Sequence, residues 1–289
     1  MQTGKFASES PPPFKNLIDV HVHLWTNDFR KYPLAAGFKP ADMLRSQYLA
    51  ADVLADARLN GVSRIVLVQM SYYGFDNSYL LDVMRSEPQT FRGIAVIDPG
   101  STDLAAKVRQ LAASGIRGFR INTIAQETWA EDAGVRKLFQ EAGKQNLAVC
   151  PLLNPQSLPQ LDRLCGRFPD TPVIIDHIAR IGMSGHPLDS DVKALCAIAR
   201  YPQTKVKLSA FYALGNKRPP HLDLAPLIRR VHEAFGANRL MWGSDCPFQT
   251  QTETYLDSVS LIRDRLDFLS AQDKDWILRR TAEEFFFAS

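Results

Sequence analysis

The stretch Leu17-Ile18-Asp19-Val20-His21-Val22-His23-Leu24 is an apolar run that carries two histidines one residue apart. Alternate side chains of a β-strand project to the same face, so this spacing directs both imidazoles to one point. A second apolar run near the other end of the chain, Met241 to Ser244, is followed directly by Asp245. The two runs predict that imidazoles from a first strand and a carboxylate from a last strand meet inside a closed barrel.

Between these runs, β-branched and apolar segments alternate with helical segments, which is the pattern of repeated strand-helix units. Eight such strands over about 250 residues are typical of a (β/α)8 TIM barrel, an α/β fold whose catalytic groups lie at the C-terminal ends of the strands. No glycine-rich phosphate turn follows an early strand, which argues against a doubly wound open sheet. The predicted strands span residues 17–23, 64–69, 92–97, 116–121, 147–152, 172–177, 204–209 and 239–244. Helices are expected over 51–60 and 103–114, each before a glycine, near 77–86, 132–145, 156–167, 190–200, 223–235 and 252–266, and at the end near 271–285.

Composition indicates a globular protein with a full core. Of the 289 residues, 45% are hydrophobic and 22% are charged, which excludes disorder for most of the chain. The net charge of +3 comes from 34 basic and 31 acidic residues that are interspersed. This balance predicts no nucleic acid partner and no membrane partner, and no apolar run approaches the roughly 20 residues that span a bilayer. It leaves the oligomeric state open.

Residues 1–16 are rich in Ser, Pro, Lys and Glu and lack the apolar stretch of a secretory signal. We therefore expect a mobile N-terminal tail over 1–16 and a single barrel domain over 17–289. The four cysteines show no paired spacing, so reduced, buried thiols and a cytoplasmic location are expected. They are Cys150, Cys165, Cys196 and Cys246.

Two further residues at predicted strand ends can carry chemistry. His177 ends the sixth strand and can serve as a ligand, a proton carrier or an oxyanion donor. Asp176 should point away from the bore if His177 points into it. Asp245 would be kept ionised by imidazoles or a cation, as a base that deprotonates water requires, although an aspartate before Pro247 can also be a helix N-cap.

The segment from Leu24 to Leu49 is long for a strand-helix loop and is rich in aromatic residues, among them Trp25 and Tyr48. A long aromatic loop at a barrel mouth can be a lid or a substrate wall, in which Tyr48 would contact substrate. The alternative is a surface excursion that packs for stability.

Several motifs together resemble the amidohydrolase superfamily, in the amidohydrolase-related branch that includes 2-pyrone-4,6-dicarboxylate lactonase and sugar lactonases. The resemblance runs from about Leu17 to the last helix. It is carried by Ile18 to His23, Val68-Gln69 with Asn77 to Leu80, Gly93 to Pro99, Gly115 to Asn122, Asp176-His177, Lys207 to Ser209 and Trp242 to Pro247.

The resemblance implies a hydrolase in which Asp245 activates water, while His177 with His21 and His23 polarises the scissile carbonyl, directly or through a divalent ion. Arg120 matches a position that holds a substrate carboxylate, which suits the bidentate geometry of a guanidinium. Arg117, three residues earlier on the same strand, should face the other way. Additional substrate contacts are expected from rim residues: Arg180, which matches a rim position of the family, and Gln69, Ser71, Ser209 and Tyr212.

One departure from the family pattern concerns the metal. Metal-binding members usually place a histidine or lysine at the end of the fifth strand, whereas this strand ends Val149-Cys150-Pro151-Leu152. Either one divalent ion, zinc or manganese, is held by His21, His23 and Asp245 with possible help from His177, or the site is metal-independent. Cys150 is expected to pack rather than to ligate.

Three functions remain open at this level. The preferred one is hydrolysis of a small carboxylated or polyhydroxy lactone. The second is metal-dependent nonoxidative decarboxylation of an aromatic or dienic acid, against which the missing fifth-strand ligand argues. The third is a non-catalytic barrel that binds a small molecule.

Overall fold

A computed structural model describes residues 14–124 and 128–288 and confirms the predicted barrel. All eight predicted strands form, and they pair in parallel in the order β1 to β8. The strands are Leu17–Val22 (β1), Val62–Val68 (β2), Phe91–Val96 (β3), Ile116–Asn122 (β4), Ala148–Leu152 (β5), Val173–Ile175 (β6), Thr204–Ser209 (β7) and Leu240–Gly243 (β8).

The ring closes where β8 meets β1. The amide of Asp245 donates to the carbonyl of His21 at 2.9 Å, and the amide of His23 donates to the carbonyl of Cys246 at 2.8 Å. These two bonds fix the end of the last strand beside the end of the first. The closure therefore brings the two runs that decide the fold into contact.

An irregularity in β1 sets the direction of the histidines. The pairing register with β2 shifts between Asp19 and Val22. Before the shift, Ile18 and Val20 pack in the bore of the barrel, whereas Val22 packs in the outer core between strands and helices. A local bulge of this kind re-aims side chains, and here it turns His21 inward.

Helices cover the outside of the barrel. Asn60 and Ser114 are the C-cap residues of the first and third helices, and the glycines that follow them have φ angles of +83° and +89°, as expected after helix C-termini. The helices are Ala50–Leu59 (α1), Ser78–Ser86 (α2), Leu104–Ala113 (α3), Ala133–Lys144 (α4), Leu158–Arg167 (α5), Asp189–Ala197 (α6), Ala225–Phe235 (α7), Tyr255–Ser260 (α8) and Ala271–Asp275 (α9). Wider π-helical turns follow α8 at Leu261–Arg265 and α9 at Trp276–Arg280 and Glu283–Phe287.

The C-terminal segment closes the bottom of the bore. Phe286 is fully buried in one cluster with bore residues such as Ile18, Val66 and Met241. A large aromatic side chain here fills the space beneath the strands, so the bore is a packed core and the open end lies at the opposite, C-terminal ends of the strands.

The aromatic segment 24–49 packs against the barrel. Trp25 and Tyr48 are at most 3% exposed, and Trp25 contacts the ring of Tyr72 from the loop after β2. This segment therefore forms a buried aromatic support for the neighbouring loop, which is the alternative that predicts packing for stability.

Among the described residues, no helix has the length and apolar character needed to cross a membrane. All four cysteines are free thiols, and Cys196 is the one that is not fully buried. The tail predicted over 1–16 stays a prediction, because residues 1–13 lie outside the described part of the chain.

Candidate active site

A cavity of about 390 Å³ opens at the C-terminal ends of the strands. Its polar lining includes His23, Arg120, His177, Arg180 and Asp245, which come from four separate segments of the sequence. The position agrees with the general location of active sites in barrels of this type.

His21 and His23 meet at the floor of the cavity, with their Nε2 atoms 3.2 Å apart. His23 Nδ1 lies 2.8 Å from the carbonyl oxygen of Val68, and only a protonated Nδ1 can donate to it. In the neutral ring the lone pair is then on Nε2, which faces the other site groups. The pair thus presents nitrogen atoms that can bind a cation or a substrate.

Asp245 faces this histidine pair. Its Oδ1 lies 3.5 Å from His23 Nε2 and 3.6 Å from His21 Nε2, and this buried oxygen accepts no hydrogen bond from the described residues. Its Oδ2 accepts a hydrogen bond from the Tyr212 hydroxyl at 2.8 Å. Burial alone would raise the pKa of Asp245, but the imidazoles of His177, His23 and His21 offset it and lower the pKa. The carboxylate is therefore ionised, with one oxygen anchored and the other available.

His177 lies beside His21, with the ring centroids 4.4 Å apart. Its Nδ1 is 2.9 Å from the Ser209 hydroxyl oxygen, which orients the ring. Burial lowers the pKa of His177 to about 4, although Asp245 opposes this shift. The imidazole is therefore neutral near pH 7.

The expectation that Asp176 points away from the bore is wrong. Strand β6 ends at Ile175, and Ile174 already packs in the bore, so alternation places Asp176 inward as well. His177 then adopts a left-handed φ of 52°, which takes it out of the strand alternation and returns its side chain to the same cavity. The strand is shorter than predicted, and the alternation therefore does not apply to His177.

Lys207 is a site residue that the sequence reasoning did not assign. It is fully buried on β7, with Nζ 3.0 Å from Asp176 Oδ1 and 3.3 Å from His21 Nδ1. Burial by itself raises the pKa of Asp176, but Lys207, His21 and Arg120 hold it well below its usual range. The available signal was a lysine inside an apolar strand, two residues before Ser209 and hence on its face.

Arg120 lies at the cavity wall, and Arg117 does not. Arg120 Nε is 3.4 Å from Asp176 Oδ2, and its Nη1 is 3.4 Å from His23 Nε2. Arg117 lines a separate depression on the outside of the barrel, so the two arginines face opposite ways as expected. Arg180 also lines the cavity and donates to Asn154 Oδ1 at 2.8 Å.

The remaining predicted contacts differ in their placement. Gln69, Ser71 and Tyr212 line the cavity. Ser209 is fully buried and contacts His177 instead. Tyr48 is not among the described residues that line the cavity, because its hydroxyl points to Cys246 Sγ at 3.4 Å behind the wall. The geometry therefore gives Tyr48 a packing position, and its contact with substrate stays a prediction.

Three of the candidate ligands form a compact donor set. One ligand atom from each of His21, His177 and Asp245 lies within 4.8 Å of the other two. The buried, unbonded Asp245 Oδ1 is the atom that a cation would satisfy. Two imidazoles and a carboxylate are a donor set that fits one divalent ion. Cys150, on the fifth strand, is fully buried in the bore cluster and outside this set.

The chain is similar to proteins of known classes along most of its length. The amidohydrolase family model matches residues 18–288. An L-fucono-1,5-lactonase from Burkholderia ambifaria is 30% identical over 236 residues, which cover 80% of this chain and 80% of that protein. A 2-pyrone-4,6-dicarboxylate hydrolase from Comamonas testosteroni is 28% identical over 84% of this chain and 81% of its own.

A solved structure from Pseudomonas putida, assigned as a 2-pyrone-4,6-dicarboxylic acid hydrolase, has a TM-score of 0.81 at 26% identity. It covers 94% of this chain, and 98% of its own residues are matched. All of the residues that line the cavity lie within the matched residues 18–288. The chain belongs to the amidohydrolase family.

Proposed function

We propose that this protein hydrolyses a small carboxylated or polyhydroxy lactone, with Asp245 as the base that activates water. The observation that carries the proposal is the state of this carboxylate: it is ionised, Tyr212 holds Oδ2, and Oδ1 is free and directed at the imidazoles. The lactone-hydrolysing relatives support the same reaction class.

In the proposed step, written for the site without an ion, Asp245 Oδ1 removes a proton from water as the water oxygen bonds to the lactone carbonyl carbon. His177 donates to the carbonyl oxygen as negative charge develops there. The bond between the acyl carbon and the ring oxygen then breaks, and the proton held by Asp245 passes to the departing oxygen. The product is an open-chain hydroxy acid.

His21, His177 and Asp245 would hold a divalent ion, with His23 adjacent to them. The donor set of two nitrogens and one oxygen favours zinc over manganese. Such an ion would supply Lewis-acid polarisation of the carbonyl.

The test measures acid release from a panel of carboxylated lactones and aldonolactones in a pH-stat, on protein of known metal content, before and after chelation. Lactone hydrolysis supports the proposal. Loss of hydrolysis on chelation, with recovery on zinc addition, assigns carbonyl polarisation to the ion. Activity in metal-free protein assigns it to the histidines.

The decarboxylase alternative has a separate readout. Carbon dioxide released from an aromatic or dienic acid, with no acid released from any lactone, would refute the hydrolase. Binding without turnover of either class would support the non-catalytic barrel.

A further inference from the structure

Apolar side chains line the cavity at the C-terminal ends of five consecutive strands, between polar residues such as Gln69, Asn122 and Arg120. Strands β2 to β6, or the loops that follow them, each contribute at least one apolar side chain to the wall, and we call this surface the apolar arc. It consists of Met70, Phe75, Val96, Ile124, Leu152 and Met183. His23 and Asp245 follow β1 and β8, which lie across the ring from β4 and β5. A lactone whose carbonyl carbon lies beside Asp245 therefore directs the rest of the molecule toward the apolar arc.

Three members of the apolar arc are exposed at the cavity mouth. Phe75 is 59% exposed, Met183 is 41% exposed and Ile124 is 39% exposed. They belong to the loops after β2, β6 and β4, and all three line the same cavity. Large apolar side chains that converge on a cavity rim indicate contact with an apolar ligand group.

Two of the polar side chains in this part of the wall are engaged by the protein. The Gln69 amide donates to the carbonyl of Asp76. Asn122 Oδ1 accepts from the amide of Ile124 at 3.2 Å. A substrate with several hydroxyl groups would place some of those hydroxyls against the apolar arc without hydrogen-bond partners, which is costly.

One cation in the cavity lining is available to pair with a substrate carboxylate. Lys207 and Arg120 lie beside Asp176. Among the described residues that line the cavity, Arg180 is the cation without a carboxylate partner, and it donates to an asparagine and to the Met183 sulfur. Arg180 is therefore the group that can pair with an anionic substrate.

We propose that the apolar arc is a subsite for an apolar substituent, so that the substrate is a lactone with one carboxylate and an alkyl or aryl group. This inference rests on the proposed function, and it separates the two substrate classes that the proposed function leaves open. The carboxylate pairs with Arg180, and the substituent covers Phe75, Ile124 and Met183.

The first experiment compares three substrates: a δ-lactone bearing one carboxylate and a butyl group, the same lactone with hydroxymethyl in place of butyl, and a 1,5-aldonolactone. The expected KM for the butyl lactone is at least about tenfold below that for the hydroxymethyl lactone, since discrimination by an apolar pocket begins near this size. An equal KM, or a preference for either hydroxylated substrate, would overturn the subsite.

The second experiment uses Phe75→Ser and Met183→Ser. Each should raise KM for the butyl lactone and reduce the butyl preference, with the effect in KM more than in kcat, because the contact forms equally in the ground and transition states. Leu188→Ser is the matched control, since Leu188 is 59% exposed but is not among the described residues of the cavity wall. An unchanged butyl preference in both variants would contradict the assignment.

A third experiment measures binding of the corresponding butyl and hydroxymethyl lactams, which the proposed reaction would cleave far more slowly than the lactones. It distinguishes a failure of the subsite from a failure of the proposed hydrolysis. Calorimetry that shows tighter binding of the butyl lactam, without hydrolysis of any lactone, would refute the proposed function and support the subsite. Equal binding of the two lactams would overturn the subsite, whatever the protein hydrolyses.

Discussion

Replacement of Lys207 by Met tests the charge network beneath the site. Lys207 and Asp176 are both fully buried, and their charged atoms are 3.0 Å apart. Removal of one partner from a buried pair costs about 3–5 kcal/mol, because the other charge stays buried without compensation. Arg120 remains 3.4 Å from the second carboxylate oxygen, so we expect the lower limit, about 3 kcal/mol.

The loss should depend on pH in a defined direction. In the native chain the folded-state pKa of Asp176 is depressed, so its ionisation contributes stability above the unfolded pKa of about 4, which is lost as pH falls through the folded value. In Lys207→Met the pKa of Asp176 rises. The destabilisation relative to the native chain should therefore be largest near pH 7 and shrink toward pH 5, where the carboxyl can protonate.

The assay is equilibrium unfolding in urea at pH 5 and pH 7. The double variant Lys207→Met with Asp176→Asn should recover much of the stability and lose the additional pH dependence. Lys193→Met is the matched control, because Lys193 pairs with Asp189 at 2.8 Å on the surface, where an ion pair contributes little to stability. A single Lys207 variant as stable as the native chain at pH 7 would refute the reasoning.

Three further predictions concern the site and its support. Tyr212→Phe should lower kcat about tenfold to a hundredfold, since a hydrogen bond to a charged group contributes about 1.5–3 kcal/mol. It should also move the acidic limb of the pH–rate profile to higher pH, and an unchanged profile would exclude Tyr212 as the anchor of Asp245. Phe286→Ala should lower the free energy of unfolding by about 3–5 kcal/mol in urea titrations while KM stays the same, and a native midpoint would show that this residue does not close the bore. Gly243→Ala would place a Cβ 2.8 Å from the Cβ of His21, so we expect a stability loss of about 1–3 kcal/mol together with lower kcat; full activity would show that β1 can yield.

The strand pattern predicts the barrel well because each strand is a separate apolar run with turn residues on both sides. The C-terminal ends of the strands are less predictable, since their side-chain directions depend on where regular pairing stops. His21 and His23 share a face as predicted, but a register shift that the sequence does not reveal turns them inward. At β6, a strand that ends two residues early places Asp176 and His177 together in the site.

Contacts between residues that are far apart in the chain are the second feature that the sequence does not predict. Lys207 acquires its position from Asp176 on a neighbouring strand and from His21 on β1. Tyr48 lies in the long segment after β1, and the closure of β8 onto β1 places Cys246 beside its hydroxyl. Neither outcome follows from local spacing, because each depends on which strands become neighbours.

The most direct test of the account is kcat for lactone hydrolysis by Asp245→Asn, in which the amide keeps the size of the side chain but cannot accept the proton from water. We predict a drop of about 100-fold to 10,000-fold, with an unchanged circular dichroism spectrum. Asp170→Asn, an exposed aspartate between α5 and β6, should keep native activity. Near-native kcat in Asp245→Asn would contradict the assignment of Asp245 as the base.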